Sequence, residues 1–311
     1  METNEFITSF YKEKISLTTC KYDIIFDAIP VWLKNTNIMI YIETSSHKEC
    51  IKVIHHINTS PCNITIPHLP NGFYFLQILY ESTNRKNYYI GINATEGFPI
   101  RIYNGNVQFI VPPTLESNKS YFIKQKNDWI TKACSKSSNN LYQSDLPEII
   151  ELATKITKYK TGNYNKILAI HDWVAENLYY DYDALASGKY RYERYDALNM
   201  LKTRRTICRG YSKLAVTLLR AIGIPAIDVQ CFALGESSDG GWNCGDNLTA
   251  DANHVITFAL ADNRWIMMDP TWDSVNEYRN GEYIEKTSGG ARHNYFDATL
   301  AFFSFTHRFI K

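Results

Sequence analysis

The stretch Cys208-Arg209-Gly210-Tyr211-Ser212-Lys213-Leu214-Ala215-Val216-Thr217-Leu218-Leu219-Arg220-Ala221-Ile222-Gly223-Ile224-Pro225-Ala226 decides how the rest of the chain is read. Tyr211, Leu214, Ala215, Leu218, Leu219 and Ile222 recur at the i, i+3, i+4, i+7 spacing of an amphipathic helix with one buried face. Gly223 followed by Pro225 is a stop signal. The spacing predicts a helix from about Cys208 to Ile222, with Cys208 at its start. A thiol there meets the positive end of the helix dipole and unpaired backbone N–H groups, and both favour the reactive thiolate. On the helix alone, a small buried residue is the better account of Cys208. The residues downstream of Pro225 separate the two accounts.

After Pro225, residues Ala226 to Leu234 read as a strand. A polar, Gly-rich loop from Gly235 to Asn253 comes next and holds Trp242 and Cys244. A loop of that length inside a compact domain is usually functional or disordered. Cys244 is more simply an incidental loop thiol than a redox partner of Cys208. The segments His254-Val255-Ile256-Thr257-Phe258-Ala259-Leu260 and Trp265-Ile266-Met267-Met268-Asp269 flank the turn Ala261-Asp262-Asn263-Arg264, which makes a hairpin. The even loop length puts His254 opposite Asp269 or one diagonal step away, on the same sheet face. A lone His is usually structural and a lone Asp at a strand end is usually a cap. The two brought together by one hairpin are less easily explained that way.

Upstream, Asp145 and Pro147-Glu148 begin a helix whose apolar face is Ile149, Leu152, Ala153 and Ile156. A second helix runs from about Asn165 to Asn177, lined by Ile167, Ile170, Val174 and Leu178, and closes at Tyr179 to Asp183. His171 on it has no obvious sequence partner and reads as a packing or surface residue. A short helix over 196–201 leads through a basic turn into Cys208.

In these residues the chain resembles the transglutaminase-like cysteine superfamily. The carriers are Cys208-Arg209-Gly210-Tyr211, the stop Gly223-Ile224-Pro225-Ala226, Asn253-His254, and Trp265 through Asp269-Pro270-Thr271-Trp272-Asp273. Trp173-Val174, Tyr180-Asp181 and Tyr295-Phe296-Asp297 add to it, so the likeness covers about residues 145–311. Thr206 stands where a Gly is common, Ile256 where a Trp often follows the His, and Asn263 where the turn usually has Gly. The resemblance implies a Cys208–His254–Asp269 triad for acyl transfer on peptide or carboxamide bonds. Cys208 would be the nucleophile, His254 the base and Asp269 the group that orients it. The Cys208 backbone N–H would help hold the oxyanion. No cofactor or metal is needed. Hydrolysis, as a peptidase or amidase, is favoured over cross-linking to an amine. The reading from another class is a non-catalytic binding or scaffold protein that keeps the fold.

Residues 1–112 read as short strands over 22–26, 38–42, 72–80, 88–92 and 107–111, separated by turns such as Pro70-Asn71-Gly72 and Asn104-Gly105-Asn106. They predict an antiparallel β-sandwich, with a weak immunoglobulin-like signature at Leu69 to Leu76. His55, His56 and His68 have no carboxylate or Cys at ligand spacing and read as surface or strand histidines. Residues 113–144 read as a linker, with a short helix around Tyr121 to Trp129. The expected architecture is α+β: a β-sandwich over 1–112, this linker, and a transglutaminase-like domain over 145–311 with its Cys at a helix N-terminus on an antiparallel sheet.

The 311 residues, 45% hydrophobic and 21% charged, are those of an ordinary globular protein, and two domains are expected. A net charge of +1 gives no electrostatic case for nucleic acid or an anionic membrane. No transmembrane run is seen, and the N-terminus lacks a secretory pattern. The odd count of 7 Cys fits neither a disulfide framework nor paired CxxC zinc ligands. A cytoplasmic, reducing compartment is therefore expected, with a peptide or protein substrate as the partner.

Overall fold

The structure is a computed structural model that describes residues 2–3, 5–10, 13–44, 48–92, 98–134, 142–191, 195–234, 251–286 and 290–310. Its packing divides the chain into two compact units. One comprises Met1–Asn118 with Leu234–Leu248 and Asp297–Arg308; the other comprises Lys119–Ala233 with Thr249–Phe296 and Phe309–Lys311.

The first unit is built from strands β1 (Glu2–Thr3), β2 (Glu5–Phe10), β3 (Glu13–Cys20), β4 (Asp23–Ala28), β5 (Thr36–Glu43), β6 (Glu49–Ile57), β7 (Cys62–Thr65), β8 (Gly72–Glu81), β9 (Tyr89–Gly91), β10 (Phe98–Tyr103) and β11 (Asn106–Ile110). They form two antiparallel sheets. One has the order β1-β11-β10-β8-β5-β6 with β9 on β8, and the other the order β2-β3-β4-β7. Alternate residues are buried: Ile24 and Phe26; Tyr74, Leu76 and Ile78; Ile100 and Ile102; Val107 and Phe109. This period of two gives each sheet one apolar face. The sheets are tied by the Thr19 hydroxyl donating to the Val107 carbonyl (2.8 Å) and the Val107 N–H donating to the Lys21 carbonyl (2.9 Å). The expected strands are present as β4, β5, β8, β9 and β11, and β1, β2, β3, β6, β7 and β10 join them. Strand β6, Glu-Cys-Ile-Lys-Val-Ile-His-His-Ile, alternates only loosely in hydrophobicity, so its signal is weak. His56 pairs with Asn37 (3.0 Å) and His68 with the Tyr22 hydroxyl (2.9 Å), so both are engaged by neutral groups.

The stretch read as a linker carries a 20-residue helix, α1 (Leu115–Cys134), much longer than the short helix expected around Tyr121 to Trp129. Apart from Ile123 and Ile130 its exposed residues are polar, and that composition is what reads as a linker. Its Trp129 is buried and stacks on Phe258 (4.7 Å between ring centres) and edge-on to Trp265 (5.8 Å).

The second unit continues through α2 (Pro147–Thr157), α3 (Gly162–Asn177), β12 (Tyr179–Asp181), α4 (Tyr182–Ser187), α5 (Ala197–Thr203), β13 (Arg205–Thr206) and α6 (Cys208–Ala221). It ends with β14 (Ala226–Ala233), β15 (His254–Ala261), β16 (Arg264–Met268), α7 (Pro270–Asp273), β17 (Glu277–Arg279) and β18 (Glu282–Ile284). Strands β14, β15 and β16 form an antiparallel meander with β15 in the middle. Ala259, Ile266 and Met268 share one core with Tyr211, Leu214, Ala215, Leu218 and Leu219 of α6 and with Ile149, Ile167, Ile170 and Val174 of α2 and α3. Phe258 and Trp265 instead meet the α1 aromatic residues. One sheet face is thus covered by α6 and the other by α1. A second sheet, β13-β12-β17-β18, pairs β12 in parallel with both β13 and β17.

Helix α6 occupies the range that the spacing predicts, but it is buried on more than one face. Gly210, Ser212, Val216 and Thr217 are buried along with the apolar stripe. The buried hydroxyls have partners: Ser212 donates to the Ile256 carbonyl (3.1 Å) and Thr217 to the Lys213 carbonyl (2.7 Å). Gly223 ends the helix with φ +77°. Its N–H donates to the Arg220 carbonyl and that of Ile224 to the Leu219 carbonyl, a left-handed C-terminal cap of the kind glycine permits.

Candidate active site

The site begins at the start of α6. Ile207 precedes the helix in extended conformation and offers no side-chain cap. Cys208 is the first helical residue; its N–H has no carbonyl one turn earlier in the helix to bond, whereas the Gly210 N–H reaches the Ile207 carbonyl (2.9 Å). Cys208 is 6% exposed and His254 about as little, whereas Asp269 is fully buried. The thiol and the imidazole keep an edge at the surface, and the carboxylate does not.

His254 is positioned by the central strand. It pairs with Cys231 on β14, and the β15–β16 register runs Thr257 to Met268 through Ala261 to Arg264. Extending that register places Asp269 opposite Ile256, one two-residue step from His254, which is the diagonal relation expected from the hairpin. The turn residues Asp262 and Asn263 both have positive φ, the form favoured in two-residue hairpins.

Asp269 then uses its two oxygens separately. Oδ2 accepts from His254 Nε2 at 2.6 Å. Oδ1 accepts from the N–H groups of Thr271 (3.0 Å) and Trp272 (3.3 Å) and so caps α7. Its own N–H donates to the Tyr295 carbonyl. Because Nε2 is taken, Nδ1 is the nitrogen left for the Cys208 thiol, with which His254 also shares a hydrogen bond. Burial alone would lower the His254 pKa. The negative charges of Asp269 and Cys208 outweigh it and lift the pKa to about 10. The Trp272 ring lies 5.9 Å from the imidazole, centre to centre, with Tyr295 edge-on behind it at 5.1 Å. The three side chains singled out in the sequence are therefore brought together.

Thr206 lies under Gly210. A Cβ on Gly210 would run into Thr206 Oγ1 and sit 2.7 Å from Met200 Sδ. The helix bearing Cys208 thus rests directly on β13 and α5. Trp242 and Cys244 fall outside the described residues.

A second polar cluster stands beside the first, and reading the sequence alone misses it. His171 is fully buried, with Nε2 3.0 Å from Asp273 Oδ2 and Nδ1 3.0 Å from Asp172 Oδ1. Asp172 Oδ1 also meets His293 Nε2 at 2.8 Å, and both Asp273 oxygens accept from the Tyr295 N–H at 3.1 Å. Asp172 is pulled down to about 2: burial works against this, but bonds from His171 and His293 prevail. Asp273 is raised, with burial the chief cause. The partners are 102 residues apart in sequence, so no local spacing announces them. The one signal in the sequence is that Asp273 closes the same short motif that Asp269 opens.

Residues 150–270 match the family model of the transglutaminase-like superfamily. Kyphoscoliosis peptidase of Mus musculus is 26% identical over 124 residues, which is 40% of this chain and 18% of that protein. The uncharacterized protein YebA of Bacillus subtilis is 26% identical over 149 residues, 46% of this chain and 20% of its own. The matches thus span about a fifth of the length of these curated relatives. Among solved structures, one described as a TGase superposes with a TM-score of 0.32 and 19% identity, covering 61% of this chain and 49% of its own. No helix of the described residues is long and apolar enough to cross a membrane. The segment that matches the family model contains the Cys208 helix, the hairpin and Asp269.

Proposed function

We propose that this chain is a cysteine acyl-transfer enzyme acting on peptide or carboxamide bonds, with water as the preferred acceptor. The observation that carries the reading is the 2.6 Å bond from Asp269 to a buried imidazole that also bonds the Cys208 thiol at a helix N-terminus.

Asp269 favours a proton on His254, and the thiolate form of Cys208 is the one that attacks. Cys208 Sγ attacks the carbonyl carbon, and the oxygen takes up the electron pair. The Cys208 N–H, unsatisfied within the helix, faces that developing charge. Collapse breaks the C–N bond as His254 delivers its proton to the departing amine, leaving a thioester. Water then attacks the thioester while His254 removes a proton from it. Release of the carboxylic acid returns the proton to the Cys208–His254 pair. An amine in place of water would give the transferase outcome by the same steps.

Alkylation by iodoacetamide, mapped residue by residue by mass spectrometry, tests this reading on wild-type and His254→Ala proteins. Cys208 is expected to react fastest among the thiols at pH 6–7 in the wild type and to slow on the order of 10-fold or more in the variant. Equal, slow reaction in both proteins would favour the binding or scaffold reading. Products formed from peptide carboxamides with and without an added amine would then separate hydrolysis from transfer.

A further inference from the structure

We infer that His171, Asp172 and His293 bind one divalent transition-metal ion, of the zinc class, beside the Cys208 site. The three candidate ligand atoms, His171 Nδ1, Asp172 Oδ1 and His293 Nε2, all lie within 4.8 Å of one another. Asp172 Oδ1 is 3.0 Å from the first nitrogen and 2.8 Å from the second. Around a tetrahedral zinc with ligands at about 2.0–2.1 Å, neighbouring ligand atoms stand ~3.3 Å apart. Asp172 Oδ1 needs to move only a few tenths of an ångström from each nitrogen to reach that spacing, and the two imidazole nitrogens, at most 4.8 Å apart, complete the shell by turning toward the ion. The ion takes the place of the protons now shared with Asp172 Oδ1, and these leave to solvent.

Three further features fit a metal better than an ordinary polar contact. First, His171 turns its other nitrogen to Asp273 Oδ2 at 3.0 Å, and that carboxylate is fully buried and held by the Tyr295 N–H. A carboxylate behind a histidine fixes its tautomer and ring plane, the usual support for a metal-ligating imidazole. Second, burial is graded. His171 is enclosed while the Asp172 and His293 side chains are 31% and 28% exposed, so an ion can enter and keep a water as fourth ligand. Third, the donor set is two nitrogens and one carboxylate, which suits zinc and its neighbours and not calcium or magnesium with their all-oxygen shells.

The elements that supply the ligands give the ion a structural consequence. His171 and Asp172 sit on α3, and His293 sits on the segment after β18. That segment is already pinned to α3 by the Ala291 N–H on Glu176 Oε1 (3.0 Å) and to α7 by the Arg292 N–H on the Asp273 carbonyl (3.1 Å). An ion would lock it there and hold Tyr295 against Trp272, the residue facing His254. The inference does not depend on the proposed reaction.

Protein freed of metal with chelator and then titrated with Co2+ and Zn2+ tests it. One ion per chain is expected, with the visible ligand-field absorption of nitrogen- and oxygen-bound cobalt and a raised melting temperature. His293→Ala should weaken binding at least ~10–100-fold, the range found even for supporting residues around metals. Asp172→Asn serves as a second, partly exposed variant. Circular dichroism in chelator establishes that each variant is folded. Absence of stoichiometric binding in the wild type overturns the inference. So does binding that survives in both folded variants, or a cobalt spectrum dominated by thiolate charge transfer, which would put the ion on cysteines.

Discussion

At the residue scale, Asp269 shows how one side chain acquires two duties. Its Oδ1 caps α7 and its Oδ2 orients His254. The two duties can be separated by substitution. In Asp269→Asn the amide oxygen can still accept from Thr271 and Trp272, but the charge opposite His254 is gone. Near pH 10, where the extra proton on His254 is gone, folding stability should fall little, while turnover near neutral pH on any substrate found should drop on the order of 10^4-fold, as for an orienting carboxylate replaced by its amide. Asp269→Ala loses the cap as well and should cost a further ~1 kcal/mol in urea denaturation. Equal stability of the two variants would remove the capping role, and near-normal turnover of Asp269→Asn would remove the orienting one. In the sequence, cap and orienter stand as alternatives because a one-dimensional pattern assigns a residue to one element. Only geometry shows that the two oxygens point different ways.

At the element scale, α6 is the most legible feature, and it is legible for the reason that it matters: its apolar spacing, its glycine stop and its leading cysteine are all local. What the periodicity understates is burial. Gly210 and Ser212 belong to the polar side of the pattern, yet both are buried, because α6 lies between the β14–β16 sheet and the helices α2, α3 and α5. The contact between α6 and β13 makes the tightest demand. Gly210→Ala would drive a methyl into Thr206 and Met200, and because all of this is enclosed, the strain should cost about 1–3 kcal/mol of stability. Thr206→Val is the informative companion. Thr206 Oγ1 is buried with no hydrogen-bond partner among the described residues, so its replacement by a methyl of similar size should be neutral or slightly stabilising. Chemical denaturation of both variants checks the pair. A harmless Gly210→Ala would mean that the helix is not seated as described. Strands β12, β13, β17 and β18 escape the sequence for a different reason. At two or three residues each they are shorter than any hydrophobic period, and their pairing in β13-β12-β17-β18 order is set by contacts distant in sequence.

At the scale of the whole molecule, the site is also a stability element, and its sign can be worked out. His254 has a pKa of about 10 in the folded protein against about 6.5 in an unfolded chain. Between those values the folded state holds a proton that the unfolded state has released, so stability must fall as pH rises through this window. The contribution is complete below about pH 6.5 and is lost as pH passes about 10. Asp269→Asn removes the main partner that keeps the proton on His254, so the variant lacks this contribution. The expected outcome is a melting-temperature gap between wild type and Asp269→Asn that is widest near pH 6 and narrows steadily toward pH 10. Lysine and tyrosine titrations are common to both proteins and cancel in the difference. Chelator present throughout keeps any metal at His171, Asp172 and His293 from contributing. A gap that stays constant over this range would mean that the His254–Asp269 pair carries no extra proton in the folded state. The proposed mechanism, which stores its proton there, would then need a different resting form.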